Sequence, residues 1–341
     1  MASFAITQLI VVIALLYTYQ APRALCDTLT SRTSIASELN ISDCGFVCPR
    51  PKLHQIDSRF DPSYSTFTQA SDQCAATMAD LAKKSLEIFI LSGQSNMSGR
   101  GGIIRTTAED GYMSTKWDGI LPEECATEPG AILRLNRNLD WEEAHEPLHA
   151  DIDLGKPCGV GPGLVFAASL LRARKYKVKP TGPQIGLVPC AIGGTSITEW
   201  EKGGFLYNQM IKRTKAALEK GGTLKALLWY QGESDCVEKS RAEHYEQRLI
   251  VFFNNVRTDL DKHDLPIIQV AIQWPAAQHP DFVEQVRNAQ KAVTDQLEHV
   301  HLVDAYGLPL ASDNIHLTTE AQTKVGLMLL DKYISTGEGK H

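Results

Sequence analysis

Serine, histidine and aspartate perform acyl transfer when distant chain segments bring them together. Free serine is a poor nucleophile and needs an adjacent base. Ser95 stands between Gly93 and Gly99, just after the apolar run 87–91, where the backbone can turn sharply and start a helix. Asp313 and His316 are three residues apart, so on one turn their side chains can share a face. A carboxylate accepting from one ring nitrogen fixes the tautomer and leaves the other nitrogen as a base toward Ser95. Each residue also has a plain structural use: Ser95 or Asp313 as a helix N-cap, His316 as an exposed turn residue. The oxyanion of an acyl transfer needs donors. The amides of Ser95 and Gly194 are natural sources, since glycine allows close backbone approach. Gly193 is the alternative to Gly194, and Gln231 can add its side-chain amide. No G-x-S-x-G occurs, which disfavours the ordinary nucleophile elbow.

The elements that must position these residues show in the hydrophobic pattern. Apolar runs at 87–91, 185–190, 226–230, 266–272 and 300–303 are bounded by Gly or polar turns, as parallel strands covered on both faces are. Between and after them, segments 164–176, 207–219, 242–261, 282–297 and 318–333 carry a helical period. Such alternation predicts an open parallel α/β sheet with right-handed crossovers. Ligands bind such sheets beyond the carboxyl ends of the strands. Segments 92–97, 191–196, 231–235 and 304–316 are therefore expected to converge on one edge.

Residues 88–97 (Ile-Phe-Ile-Leu-Ser-Gly-Gln-Ser-Asn-Met), Gly193-Gly194-Thr195, Trp229-Tyr230-Gln231-Gly232-Glu233 and Asp313-Asn314-Ile315-His316-Leu317 closely resemble the sialate O-acetylesterase-like carbohydrate esterases of the SGNH (GDSL-type) hydrolase superfamily, above all their plant members. The likeness spans 87–333, within an esterase domain set at 85–335. It implies a flavodoxin-like three-layer α/β/α sandwich around a parallel five-stranded sheet, with no metal and no organic cofactor. By position it makes Ser95 the nucleophile, Gly194 the second-block glycine and Asp313 with His316 the acid–base pair. Gln231 stands where the wider superfamily has asparagine. The implied reaction removes acetyl groups from an acetylated carbohydrate, such as xylan or another cell-wall polysaccharide, through an acyl-enzyme. An O-acyltransferase using the same triad and a catalytically silent carbohydrate-binding protein are the alternatives. Gln94, Asn96, Glu233 and Trp200 are expected to border the substrate, although a loop-bracing role competes for Glu233 and core packing for Trp200.

Bulk properties agree with an enzyme of this kind. The chain of 341 residues carries a formal charge of −6 and lacks the basic face that nucleic acid requires. An apolar run at 9–17 followed by small residues to Cys26 reads as a secretory signal peptide, 1–26, too short to span a membrane. The mature protein is expected outside the cell, in the cell wall or apoplast of a plant, and free of the membrane. Residues 27–84 form a Cys-containing extension, and eight cysteines suit an oxidising compartment. Cys44, Cys48 and Cys74 are expected to staple that extension, whereas a zinc site there lacks a second ligand pair. Asn40-Ile-Ser42 is a glycosylation sequon; Asn96-Met-Ser98 is another, but a glycan there would block the site. His145, His149, Asp151 and Asp153 are ligand-type residues, yet Pro147 breaks the spacing that would align the histidines on a metal. The segment 141–149 competes between bordering the cleft and packing. Nothing in the sequence sets the oligomeric state.

Overall fold

The computed structural model describes residues 86–107, 113–175, 184–274 and 279–337. The expected signal peptide, the cysteine-bearing extension and its sequon lie outside the described residues. Along the chain run β1 (Leu86–Gly93), the one-turn helix α1 (Ser95–Ser98), a hairpin of β2 (Ile103–Thr107) and β3 (Met113–Trp117), then β4 (Ile132–Leu135), β5 (Trp141–Glu143) and α2 (Pro162–Lys175). They are followed by β6 (Gln184–Pro189), α3 (Phe205–Glu219), β7 (Thr223–Tyr230), α4 (Lys239–Asp259), β8 (Ile267–Ala271), α5 (Pro280–Gln296), β9 (Val300–Asp304) and α6 (Thr319–Ser335).

The main sheet has the order β5-β4-β6-β1-β7-β8-β9. Every neighbouring pair is parallel except β4 with β5. Within it, β6-β1-β7-β8-β9 is the five-stranded flavodoxin order, and the chain leaves β1 in opposite directions toward β6 and β7, creating a switch point there. The sheet is wider than the five strands expected. β4 is only four residues, Ile-Leu-Arg-Leu, and β5 three, Trp-Glu-Glu, too short and too charged to show as apolar runs. Arg134 is tolerated inside β4 because Glu142 and Asp151 neutralise it at 2.6 and 2.7 Å.

All eight residues of β1 are buried, as a strand with helices on both faces must be. Phe89 meets Phe166 of α2 and Tyr333 of α6 edge-on, at 5.0 and 5.3 Å between centroids. Trp229 of β7 meets Phe252 of α4 at 4.5 Å and Trp200 at 5.3 Å. Trp229 is registered opposite Ser92, three positions beyond Phe89, so the two aromatics leave opposite faces of the pleated sheet. Helices α2 and α6 pack together, as do α4 and α5, giving helical layers on both faces of the sheet.

Candidate active site

Gly93 ends β1 at φ +129°, and a Cβ there would collide with the Tyr230 backbone; only glycine lets the chain turn against β7. Gln94 caps the turn, its amide donating to Tyr230 O at 2.8 Å and its carbonyl accepting from Met97 and Ser98. Ser95 thus becomes the first residue of α1, where an amide has no partner within the helix.

The chain after β9 folds back on itself. The Ala311 amide donates to His316 O at 2.7 Å and that of Thr318 to Pro309 O at 3.1 Å. Inside this loop Asp313 Oδ1 accepts the amides of Ile315 and His316 at 3.0 and 2.9 Å. Its Oδ2 lies 2.7 Å from His316 Nδ1, and His316 Nε2 lies 2.9 Å from Ser95 Oγ. With Nδ1–H donated to the carboxylate, Nε2 is left as the acceptor for the serine proton. Burial pushes the His316 pKa below its ordinary value; the bond and charge of Asp313 oppose this, and Arg100 and Lys156 add to it. Burial would raise the Asp313 carboxyl, but the His316 amide and ring and the Ile315 amide outweigh it and hold the carboxyl below the usual range.

The two glycines after β6 have different partners. The Gly193 amide donates to Asp153 Oδ2 at 3.0 Å, so it is already engaged. Gly194 sits exposed at φ +79° with open space around its α-carbon, and its amide has no acceptor among the described residues. A Cβ on Gly193 would lie 3.3 Å from Ser95 Cβ, which places this turn beside the serine. Asp153 is itself held by the Arg100 guanidinium at 2.5 Å, a pair with side chains 3% and 4% exposed. Ser98 Oγ donates to the same oxygen at 2.9 Å. This Arg100–Asp153 brace under the turn has no signature in the sequence, where its members stand 53 positions apart.

Several sequence expectations are corrected. Gln231 cannot serve an oxyanion: it is fully buried, and its Nε2 donates to Thr195 O at 2.9 Å and Asp235 Oδ2 at 2.6 Å. Its Oε1 accepts from the Tyr245 hydroxyl. Trp200 is also fully buried, its indole donating to Thr195 Oγ1 and its ring packed on Trp229, so it does not border the substrate. Gln94, Asn96 and Glu233 are buried as well and join loops instead of facing solvent. Gln94 Oε1 accepts the amides of Gly232 and Ser234. Asn96 Nδ2 donates to Glu233 Oε1 at 2.6 Å, while Asn96 Oδ1 accepts the Leu317 amide at 3.0 Å. This clip fastens α1 to the residue after His316. Burial raises the Glu233 carboxyl to about 7 against the Asn96 bond. Asn96 is inaccessible to a glycan in the folded chain.

The remaining candidates are committed elsewhere. Trp141 covers Gly186 on the outermost strand, His149 is buried and held neutral with its pKa lowered to about 3 by burial, and Asp151 pairs with Arg134. Cys125, Cys158, Cys190 and Cys236 are free and buried; burial raises the thiols of Cys158 and Cys190 to about 11. Among the described residues no helix is long and apolar enough to cross a membrane.

An Arabidopsis thaliana protein described as a probable carbohydrate esterase is 51% identical over 249 residues, covering 73% of this chain and 90% of that protein. The crystal structure of an Arabidopsis thaliana protein at the same 51% identity superimposes with a TM-score of 0.65, covering 73% of this chain and 98% of the other. NanS is similar in fold, with a TM-score of 0.52, 19% identity and coverage of 74% and 96%. So is a carbohydrate acetylesterase from Xanthomonas citri, with a TM-score of 0.50, 18% identity and coverage of 73% and 57%. Residues 85–335 match the family model of the carbohydrate esterases described as sialic acid-specific acetylesterases, and the chain belongs to that family of carboxylic ester hydrolases.

Proposed function

We propose that the protein removes acetyl groups from an acetylated carbohydrate through an acyl-enzyme on Ser95, with His316 as general base and acid and Asp313 as its orienting carboxylate. The observation that carries this reading is the continuous relay from Ser95 Oγ to His316 Nε2 and from His316 Nδ1 to Asp313 Oδ2, at 2.9 and 2.7 Å. Ser95 Oγ bonds to the acetyl carbonyl carbon as its proton passes to Nε2. The amides of Ser95 and Gly194 hold the tetrahedral oxyanion. Its collapse breaks the bond to the sugar oxygen, which leaves with the proton from His316. A water then gives a proton to Nε2 as it bonds to the acetyl carbon; collapse breaks the bond to Ser95 Oγ, which takes that proton back from His316, and acetate leaves. Cell-wall polysaccharides and an extracellular setting belong to the same proposal, supported by the N-terminal apolar run.

Ser95→Ala is expected to lower acetate release by at least about a thousandfold with the thermal unfolding midpoint unchanged. Acetylated xylan, pectin, mannan and sialic acid form the substrate panel. Turnover of any of them by Ser95→Ala at near the wild-type rate refutes the assignment.

A further inference from the structure

The buried position of Trp200 leaves a carbohydrate esterase without the aromatic surface expected beside its cleft, and a different pair of rings occupies the sheet edge. We propose that Tyr306, buttressed near a right angle by Trp274, forms a platform on which a sugar ring of the acetylated chain stacks, at a subsite beside the acetyl-bearing unit; this rests on the acetylesterase reading above. Ala271 and Asp304, the last residues of β8 and β9, are registered partners in parallel strands. Trp274 and Tyr306 follow them by three and two positions, so both rings emerge at the carboxyl edge that carries Ser95 and His316. Their centroids are 6.4 Å apart at 81°.

The platform is built, not incidental. Gln273 Oε1 accepts the amides of Trp274 at 2.7 Å and Gly307 at 3.0 Å, and its Nε2 donates to Leu308 O, so one side chain fastens both loops. Trp274 is partly buried against the core, whereas Tyr306 is 64% exposed. The Arg287 guanidinium lies 5.1 Å from the Tyr306 ring centroid and is fixed by Asp304 at 2.8 and 3.0 Å. The cation backs one face of the ring through its quadrupole and holds it in place. A ring so held offers rigid apolar area with a polar rim, which matches the apolar C–H face and hydroxyl edge of a pyranose.

Position ties the platform to the reaction. A turn closed by Leu308 N to Ala305 O carries the chain from Tyr306 to Pro309, whose carbonyl is bonded to Thr318 N, two residues past His316. Three residues span at most roughly 10 Å. That bound keeps the platform beside the His316 loop, where a neighbouring sugar of an oligosaccharide can reach it, whereas a small ester carries no sugar ring to place there.

The test compares two substrates in the full-length protein: acetylated xylotetraose or mannotetraose, and 4-nitrophenyl acetate, which carries no sugar. Tyr306→Ala is expected to lower the ratio of their kcat/KM values about tenfold, through KM for the tetraose, and Tyr306→Phe and Tyr306→Trp to restore it. Tyr306 bears the test because its exposure makes the variant tolerable to the fold. An unchanged ratio in Tyr306→Ala, with the wild type active on a tetraose, overturns the platform alone. A wild type that cleaves 4-nitrophenyl acetate and neither tetraose overturns the platform as stated for these chains, and only its failure on acetylated pectin and sialic acid as well overturns the acetylesterase reading.

Discussion

In the proposed role, His316 takes a proton from Ser95 only while its ring is uncharged. Burial depresses its pKa from 6.5, with Arg100 and Lys156 acting in the same direction against Asp313. Protonation therefore silences the base only below the pH of an ordinary imidazole. The acid limb of kcat/KM for 4-nitrophenyl acetate, followed from about pH 4 to about pH 8, should have its midpoint below that value; a midpoint above it contradicts the role. The meeting of Ser95, Asp313 and His316 was readable because each lies on a segment that follows a strand that announces itself. The different engagement of the Gly193 and Gly194 amides was not, since only the folded chain brings Gly193 to Asp153. Gln231 misled for the same reason. An amide side chain in a polar loop reads as a free donor, and no local pattern reveals that Thr195 and Asp235 already use it.

A four-residue helix such as α1 has no stability of its own, so neighbouring elements must hold Ser95 in place. One side is the Asn96–Glu233 clip to the His316 loop, the other the Arg100–Asp153 brace beneath the Gly193–Gly194 turn. Asp153 Oδ2 takes Arg100, Ser98 and Gly193 at once. Asp153→Ala leaves the guanidinium buried without its carboxylate, a loss of about 3–5 kcal/mol, and frees the turn that presents the Gly194 amide. Urea unfolding should show that loss, and kcat should fall at least about tenfold. Asp153→Asn, which keeps an acceptor, should lie between. A stable, fully active Asp153→Ala would refute the brace. The five central strands were legible because burial on both faces demands continuous apolar runs. β4 and β5 escaped because they are short and charged: Arg134 is buried yet neutralised by Glu142 across the pair and by Asp151, and Glu143 accepts the Gly130 amide.

Across the whole molecule, buried titratable groups set opposing pH dependences of stability. Burial raises Glu146 and Glu233 from 4.5 to about 7 and Asp235 from 3.8 to about 6. A raised carboxyl binds its proton more tightly in the folded state, so its stabilisation is present below the unfolded pKa and is lost as pH rises through the folded one. His149, lowered from 6.5 to about 3 by burial, and His316, lowered likewise, act the other way. Their stabilisation is present above 6.5 and is lost as pH falls. Between the unfolded values of 4.5 and 6.5 three carboxyls therefore oppose two imidazoles, and the wild-type unfolding midpoint should change little with pH. Replacing Glu146 and Glu233 by Gln removes two of the three carboxyls and leaves both imidazoles. The double variant should then become more stable as pH rises across that window, whatever its overall loss of stability from the altered hydrogen bonds at Leu148 and Asn96. Thermal unfolding of both proteins at a series of pH values separates slope from offset; parallel curves would mean that the two carboxyls stay ionised inside the fold and that the opposition does not exist.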